Sequence, residues 1–119
     1  MSFKGVLDRL LQQVPGALGA IIVDWEGEAV DHAARMDSYE LKVLGAHKGV
    51  ILANLRAAVR RLGDEEIEEI IISTAASQTL ILPVTQEYAL ILTLARGEGL
   101  GRALFEGRRC AGELRRDIA

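Results

Sequence analysis

The order of apolar and polar residues along the chain predicts eight secondary-structure elements. Apolar residues recur at helical spacing near the start, in the middle and at the end of the chain. The segments between these stretches are rich in β-branched residues and bounded by turn residues, as strands are. The predicted elements are a helix over 3–14, strands over 19–25 and 28–34, a helix ending at Leu62, strands over 67–75, 78–84 and 88–95, and a helix over 99–118.

The middle helix carries start and stop signals at both ends. Asp37 is a favourable N-cap residue, and Glu40 stands three residues later, as in a capping box. Arg60 and Arg61 suit the negative end of the helix dipole, and Gly63 suits the left-handed position after the last turn. The helix is therefore expected to span about 25 residues, roughly twice the mean length, and to cross the whole domain.

The strand patterns predict a sheet that is covered on both faces. In the strand over 67–75, Ile70 and Ile72 lie on one face and Ile67 and Ile71 on the other. Short connections make the last three strands antiparallel neighbours. We therefore predict one domain over 1–119 of the α/β (α+β) class, in the order α-β-β-α-β-β-β-α. In this three-layer α/β/α arrangement, the middle helix covers one face of a five-stranded antiparallel sheet and the terminal helices cover the other.

Small residues form a second stripe on the middle helix, beside its apolar stripe. Gly45, Gly49 and Ala53 follow one another at i+4 spacing, and Ala57 continues the row. A glycine inside a helix costs about 1 kcal/mol relative to alanine, so a close contact is expected to compensate. Either the helix of a second copy or the sheet beneath the helix can provide that contact.

The strand over 67–75 adds a reason to expect self-association. It is expected at a sheet edge, and its middle, EIIIST, is apolar and free of proline. Glu68 and Glu69 either protect this edge or belong to a solvated turn. A symmetric dimer that joins two such edges under crossed middle helices would cover both features. We therefore expect a homodimer whose interface comprises Gly45, Gly49, Ala53, Ala57, Ile70, Ile72 and Thr74.

Charge and composition exclude several classes of function. The net charge of −3 argues against nucleic-acid binding, which depends on a basic surface. No apolar run reaches the roughly 18–20 residues that span a bilayer, so no membrane insertion is expected. A single cysteine fits a reducing compartment, and the chain is expected to be cytoplasmic.

No catalytic, cofactor-binding or metal-binding group is expected either. His32 and His47 stand on different predicted elements, without the ligand spacing of a metal site. Cys110 falls on the apolar side of the last helix and is expected in the core. The segment over 97–102 lacks the glycine spacing and lysine of a phosphate loop. These observations favour a protein that is not an enzyme.

Several segments resemble the Roadblock family, which comprises dynein light-chain Roadblock and its bacterial and archaeal relatives. They are Val14-Pro15-Gly16 before GALGAIIVDWEGEAV, the Gly/Ala-rich helix ending RRLG, IEEIIISTAASQTLILPV, YALILTLA and GLGRALFEGRRCAGELR. The resemblance covers essentially the whole chain and implies a Roadblock/profilin-like fold. It also implies dimers that lack catalysis of their own and serve as platforms for small Ras-like GTPases. The bacterial member MglB activates such a GTPase.

The resemblance thus implies a homodimeric platform that binds and regulates a small Ras-like GTPase. The alternative is a structural adaptor of a motor or signalling complex that binds a peptide or another Roadblock-like subunit. The GTPase would dock over the paired middle helices, on a surface comprising Lys42, Lys48, Asn54, Arg56 and Arg60. Because Lys48 falls inside the apolar stripe, it either snorkels at an end of the dimer interface or pairs with an acid of the second copy.

Overall fold

The computed structural model describes residues 3–63 and 65–118, and within them the eight elements follow the predicted order. Both ends of the middle helix match their signals. The Asp37 carboxylate accepts a hydrogen bond from the Glu40 N–H at 3.0 Å, and Gly63 takes a positive φ of 146°. The elements are α1 Lys4–Gln13, β1 Ala17–Asp24, β2 Ala29–Ala34, α2 Ser38–Arg61, β3 Ile70–Ser73, β4 Ser77–Pro83, β5 Tyr88–Ala95 and α3 Leu100–Ile118.

The five strands form one antiparallel sheet in the order β2-β1-β5-β4-β3. The first and last strands of the chain pair at its centre, where Ile21 lies opposite Ile91. The strand β3 lies at one edge, as predicted, and β2 lies at the other. This topology confirms the predicted fold class.

Alternate residues of the central strands enter two separate cores. Ile22 and Leu92 pack with α1 and α3 on one face of the sheet. Ile21 and Ile91 pack with Leu41 and other residues of α2 on the opposite face. All four strand side chains are fully buried, so both faces are covered and the fold has three layers.

The strand β3 is shorter than predicted, with four residues in place of nine. In the observed register Ile70 lies opposite Ile81, so Glu68 would lie opposite Pro83 if pairing continued. Proline has no N–H to donate to a ladder, which ends the pairing there. Glu69 instead forms an ion pair with Arg108 of α3, across the face of the sheet. The apolar pattern of β3 alone does not reveal where its pairing with β4 ends.

The end of α2 is more exposed than its apolar stripe predicts. Leu41 and Leu52 are buried, whereas Leu55 is 40% and Leu62 is 86% exposed. The helix runs along β1, with the Leu41 methyl groups over Gly19 and Gly49 against Gly27, which follows the end of β1. Its last turns therefore extend past the sheet. Among the described residues, no helix has both the length and the apolar character needed to cross a bilayer.

Candidate functional site

The helix α2 presents two flanks with different surroundings. One flank faces the turn between β1 and β2, and we call it the hairpin flank: Gly49, Ala53 and Ala57. The other borders the apolar cluster against which Ile70 and Ile72 of β3 also pack, and we call it the edge flank: Leu44, Lys48, Ile51 and Leu55. At 3.6 residues per turn these two sets lie on opposite sides of the buried residues Leu41 and Leu52.

The helix glycines make their close contacts inside the chain. A Cβ atom at Gly45 would lie 3.1 Å from Val23 Cγ1 and 3.2 Å from Ile21 Cγ2, and the residue is buried. A Cβ atom at Gly49 would lie 3.3 Å from the Cα of Gly27. The sheet and the hairpin turn therefore supply the close contact, which is the second of the two alternatives that the sequence left open. The predicted place of Gly45 and Gly49 in a dimer interface stays a prediction, and their contacts within the chain do not require it.

Ala53 and Ala57 also face the hairpin. Both are exposed and line a cleft of about 200 Å³ together with Trp25 and Tyr88. Trp25 is 70% exposed at the rim of this cleft. Ile70 and Ile72 pack instead against the apolar cluster that the other flank of α2 borders, so the residues of the predicted interface are divided between the two flanks.

The edge flank is an incompletely covered apolar surface. Leu44 and Ile51 are half-buried and pack in the same cluster as Ile70 and Ile72. Leu55 continues this row toward solvent, and Lys48 lies half-buried within it. At helical spacing, Leu44, Ile51 and Leu55 fall within the apolar stripe that the sequence predicts to face the core. Only the position of the helix relative to the sheet reveals that this side is open.

The two sheet edges differ in protection. At β2 the pairing with β1 shifts around Val30, which produces a bulge, and Lys4 Nζ donates to the His32 carbonyl at 3.0 Å. The pairing of β3 with β4 is regular over all four residues. Glu69 is occupied by the hydrogen bond from Arg108, which lowers the pKa of the Glu69 carboxyl. Bulges and edge lysines block strand addition, so β3 is the more open edge.

Thr74, predicted in the interface, lies in the turn after β3. Its hydroxyl accepts hydrogen bonds from the N–H groups of Ala76 and Ser77, each at 3.2 Å. Its own N–H donates to the Ser77 carbonyl at 2.9 Å. The side chain therefore organises the β3–β4 turn.

The five predicted docking residues do not form one surface. Lys42 and Asn54 are exposed on different sides of α2, and Lys48 lies on the edge flank. Arg56 donates to the carbonyls of Thr85 and Gln86, at 3.1 and 3.3 Å.

Arg60 joins Arg56 in holding the turn between β4 and β5. It donates to Gln86 Oε1 at 2.6 Å, and Gln86 Nε2 donates to Glu66 Oε2 at 3.2 Å. Burial is the main cause that lowers the pKa of Arg56. Both arginines therefore have a structural role in addition to their charge.

The described residues include few chemically reactive groups. Cys110 is buried, and desolvation raises the pKa of its thiol to about 12, so the thiolate nucleophile is suppressed. In the part of the chain that the structure describes, no three His, Cys, Asp or Glu side chains converge as a metal-binding group. The notable surfaces are those that suit contact with other proteins.

Comparisons with known proteins agree with this geometry. The Roadblock/LC7 domain model matches residues 4–95. No curated protein matches the chain. Among solved structures, a Roadblock/LC7 domain from Streptomyces avermitilis has a TM-score of 0.89 at 14% identity, covering 99% of this chain and 98% of that one.

Two MglB structures are also similar. Myxococcus xanthus MglB has a TM-score of 0.88 at 17% identity, covering 98% of this chain and 94% of that one. An MglB with a tetrameric arrangement has a TM-score of 0.84 at 22% identity, covering 94% of this chain and 84% of that one. These likenesses establish the fold.

Proposed function

Because this chain belongs to the Roadblock/LC7 family, we propose that it is a non-catalytic, cytoplasmic homodimer that binds and regulates a small Ras-like GTPase. One observation supports the dimer: the open edge strand β3 and the incompletely covered edge flank of α2 border the same apolar cluster. Each feature alone favours association, and a single twofold contact covers both. The GTPase partner rests on the resemblance to MglB.

In the proposed dimer, two β3 strands join edge to edge and the edge flanks of the two α2 helices pack across the junction. Ile70, Ile72 and Leu55 then lose their remaining contact with water, which is the main driving force. Lys48 belongs to the border of this interface, where its stem packs on leucine and its ammonium reaches solvent or an acid of the second copy.

The proposed docking site for the GTPase is the exposed surface of α2 on the side of the hairpin flank. Lys42 and Arg60 are exposed there, with Arg56 beside Arg60, whereas Asn54 is exposed on another side of the helix. Neither arginine is proposed as an arginine finger, because both are bound to the β4–β5 turn. Regulation is instead proposed to act by holding the switch segments of the GTPase in one conformation.

Binding of a purified Ras-like GTPase from the same genome, loaded with a non-hydrolysable GTP analogue, tests this docking site. We expect Arg60→Glu to weaken binding at least about tenfold, because it places a repulsive charge in the interface. Gln86→Ala is the matched control, since it removes the side-chain acceptor of Arg60 and leaves the charge in place. Unchanged binding by an intact Arg60→Glu dimer would refute the docking site.

A structural adaptor is the second candidate function. The open β3 edge suits a related chain as well as a second copy, and one similar structure is an MglB with a tetrameric arrangement. The adaptor is favoured if a Roadblock-like chain co-purifies with the protein whether or not nucleotide is present, and if that chain takes the place of the second copy. Capture that depends on the GTP analogue favours the first function.

A further inference from the structure

The outer face of α3 combines an exposed aromatic residue with arginines. Ala103, Gly107 and Leu114 face the sheet, and Phe105 lies on the opposite side of the helix, 64% exposed. The helix lies entirely beyond residue 95, where the match to the family model ends. We call this surface the arginine face: Arg102, Phe105, Arg108, Arg109, Arg115 and Arg116.

The arginine face is a positive surface on an acidic molecule. The residues of α3 include five arginines and three acids, whereas residues 1–99 include nine basic and fourteen acidic side chains. Two of the three acids of α3 face arginines: Glu113 pairs with Arg9 at 2.8 Å, and the buried Glu106 lies 3.9 Å from Arg109, whose side chain stays 71% exposed. Positive charge is therefore concentrated on the two long helices: on α3 at one face of the sheet, and on α2, with five basic residues and one acid, at the other.

Two arginines of this face are fixed in position by neutral acceptors. Arg102 Nε donates to the Gln13 carbonyl at 2.6 Å, and Arg115 Nε donates to the Val84 carbonyl at 2.6 Å. A carbonyl acceptor orients a guanidinium without cancelling its charge. Arg108 differs, since it is neutralised by Glu69. Guanidinium groups held in this way match carboxylates with little loss of conformational freedom on binding.

We propose that the arginine face docks an acidic segment of a partner protein. The segment places an apolar side chain against Phe105 and carboxylates against Arg102, Arg109 and Arg116, which lie on the same side of the helix as Phe105. This site is on the opposite side of the sheet from α2, so it goes beyond the proposed GTPase docking and allows two partners to bind at once.

An acidic protein segment suits this face better than an anionic membrane. A single exposed aromatic side chain inserts little apolar surface into a bilayer, and stable membrane binding takes stronger or combined signals. The acidic remainder of the chain, at a net charge of −3 overall, is repelled by anionic lipid. A peptide that contacts only the arginine face of α3 avoids that repulsion.

A random dodecapeptide library displayed on phage, selected against the immobilised full-length protein, provides the probe. We expect enriched peptides with net negative charge and at least one apolar residue. Their affinity, measured by fluorescence anisotropy, should fall at least about tenfold in the double variant Arg109→Glu, Arg116→Glu and should also fall at high salt. Phe105→Ala should weaken binding without changing the salt dependence.

Arg61→Glu on α2 is the matched control, because it also reverses the charge of an exposed arginine. This variant should bind the peptides like the wild type. Circular dichroism checks that each variant remains folded. Enrichment without acidic residues, or equal binding by the arginine-face variants, overturns the proposal. The protein is also sedimented with phosphatidylcholine/phosphatidylserine vesicles. If the wild type sediments with them and the double variant does not, the face binds a membrane and the proposal is overturned. None of these outcomes depends on the GTPase.

Discussion

Arg35, just after β2, joins two elements that are distant in sequence. Its guanidinium donates to the carbonyls of Leu11, Val14, Pro15 and Ala17, at distances between 2.6 and 3.2 Å. The carbonyls at a helix C-terminus lack partners within the helix, so this side chain caps α1 and fixes the turn into β1. Nothing in the sequence near Arg35 signals this role, because its acceptors depend on the packing of α1 beside β2.

Arg35→Met is expected to lower the free energy of unfolding by about 1–3 kcal/mol, since it removes four charge-assisted hydrogen bonds and keeps the apolar stem. Urea unfolding followed by circular dichroism measures the change. Arg61→Met, at an exposed position on α2, should stay within about 0.5 kcal/mol of the wild type. Equal stability of the two variants would show that the Arg35 hydrogen bonds contribute nothing net.

At the scale of elements, local signals and non-local packing were predictable to different degrees. The ends of α2 follow from Asp37 and Gly63, whose effects act within a few residues. The length of β3 depends on Pro83 in a neighbouring strand, and the partner of Gly45 depends on where α2 lies over β1. Periodicity indicates that a helix has a small-residue stripe, but it does not reveal which element packs on that stripe.

Gly45→Val tests the contact between α2 and β1. The added side chain would enter a space already filled by Val23 and Ile21, so we expect the protein to lose about 1–3 kcal/mol of stability. The dissociation constant of the dimer should stay unchanged, because the contact lies inside one chain. Stability from denaturant titration and dimer affinity from sedimentation equilibrium separate the two effects. A weakened dimer with unchanged protomer stability would place Gly45 in the interface.

At the scale of the whole molecule, the sheet separates two surfaces of different character. The α2 side offers an apolar flank beside an open strand edge, and the α3 side offers charge around one exposed phenylalanine. The fold class and the open edge were predictable from strand patterns and connection lengths. The side of α2 that faces this edge was not, because helix periodicity alone does not orient a helix on a sheet.

The central claim is that the chain dimerises through β3 and the edge flank of α2. Light scattering coupled to size exclusion, at micromolar concentration, tests it with Leu55→Glu and its matched control Ala53→Glu. Both positions are exposed in the single chain, but Ala53 lines the cleft beside Trp25, whereas Leu55 lies on the edge flank. We predict about twice the 12.9 kDa chain mass for the wild type and Ala53→Glu, and a folded monomer for Leu55→Glu. A monomeric wild type, or dissociation by Ala53→Glu but not by Leu55→Glu, would contradict the account.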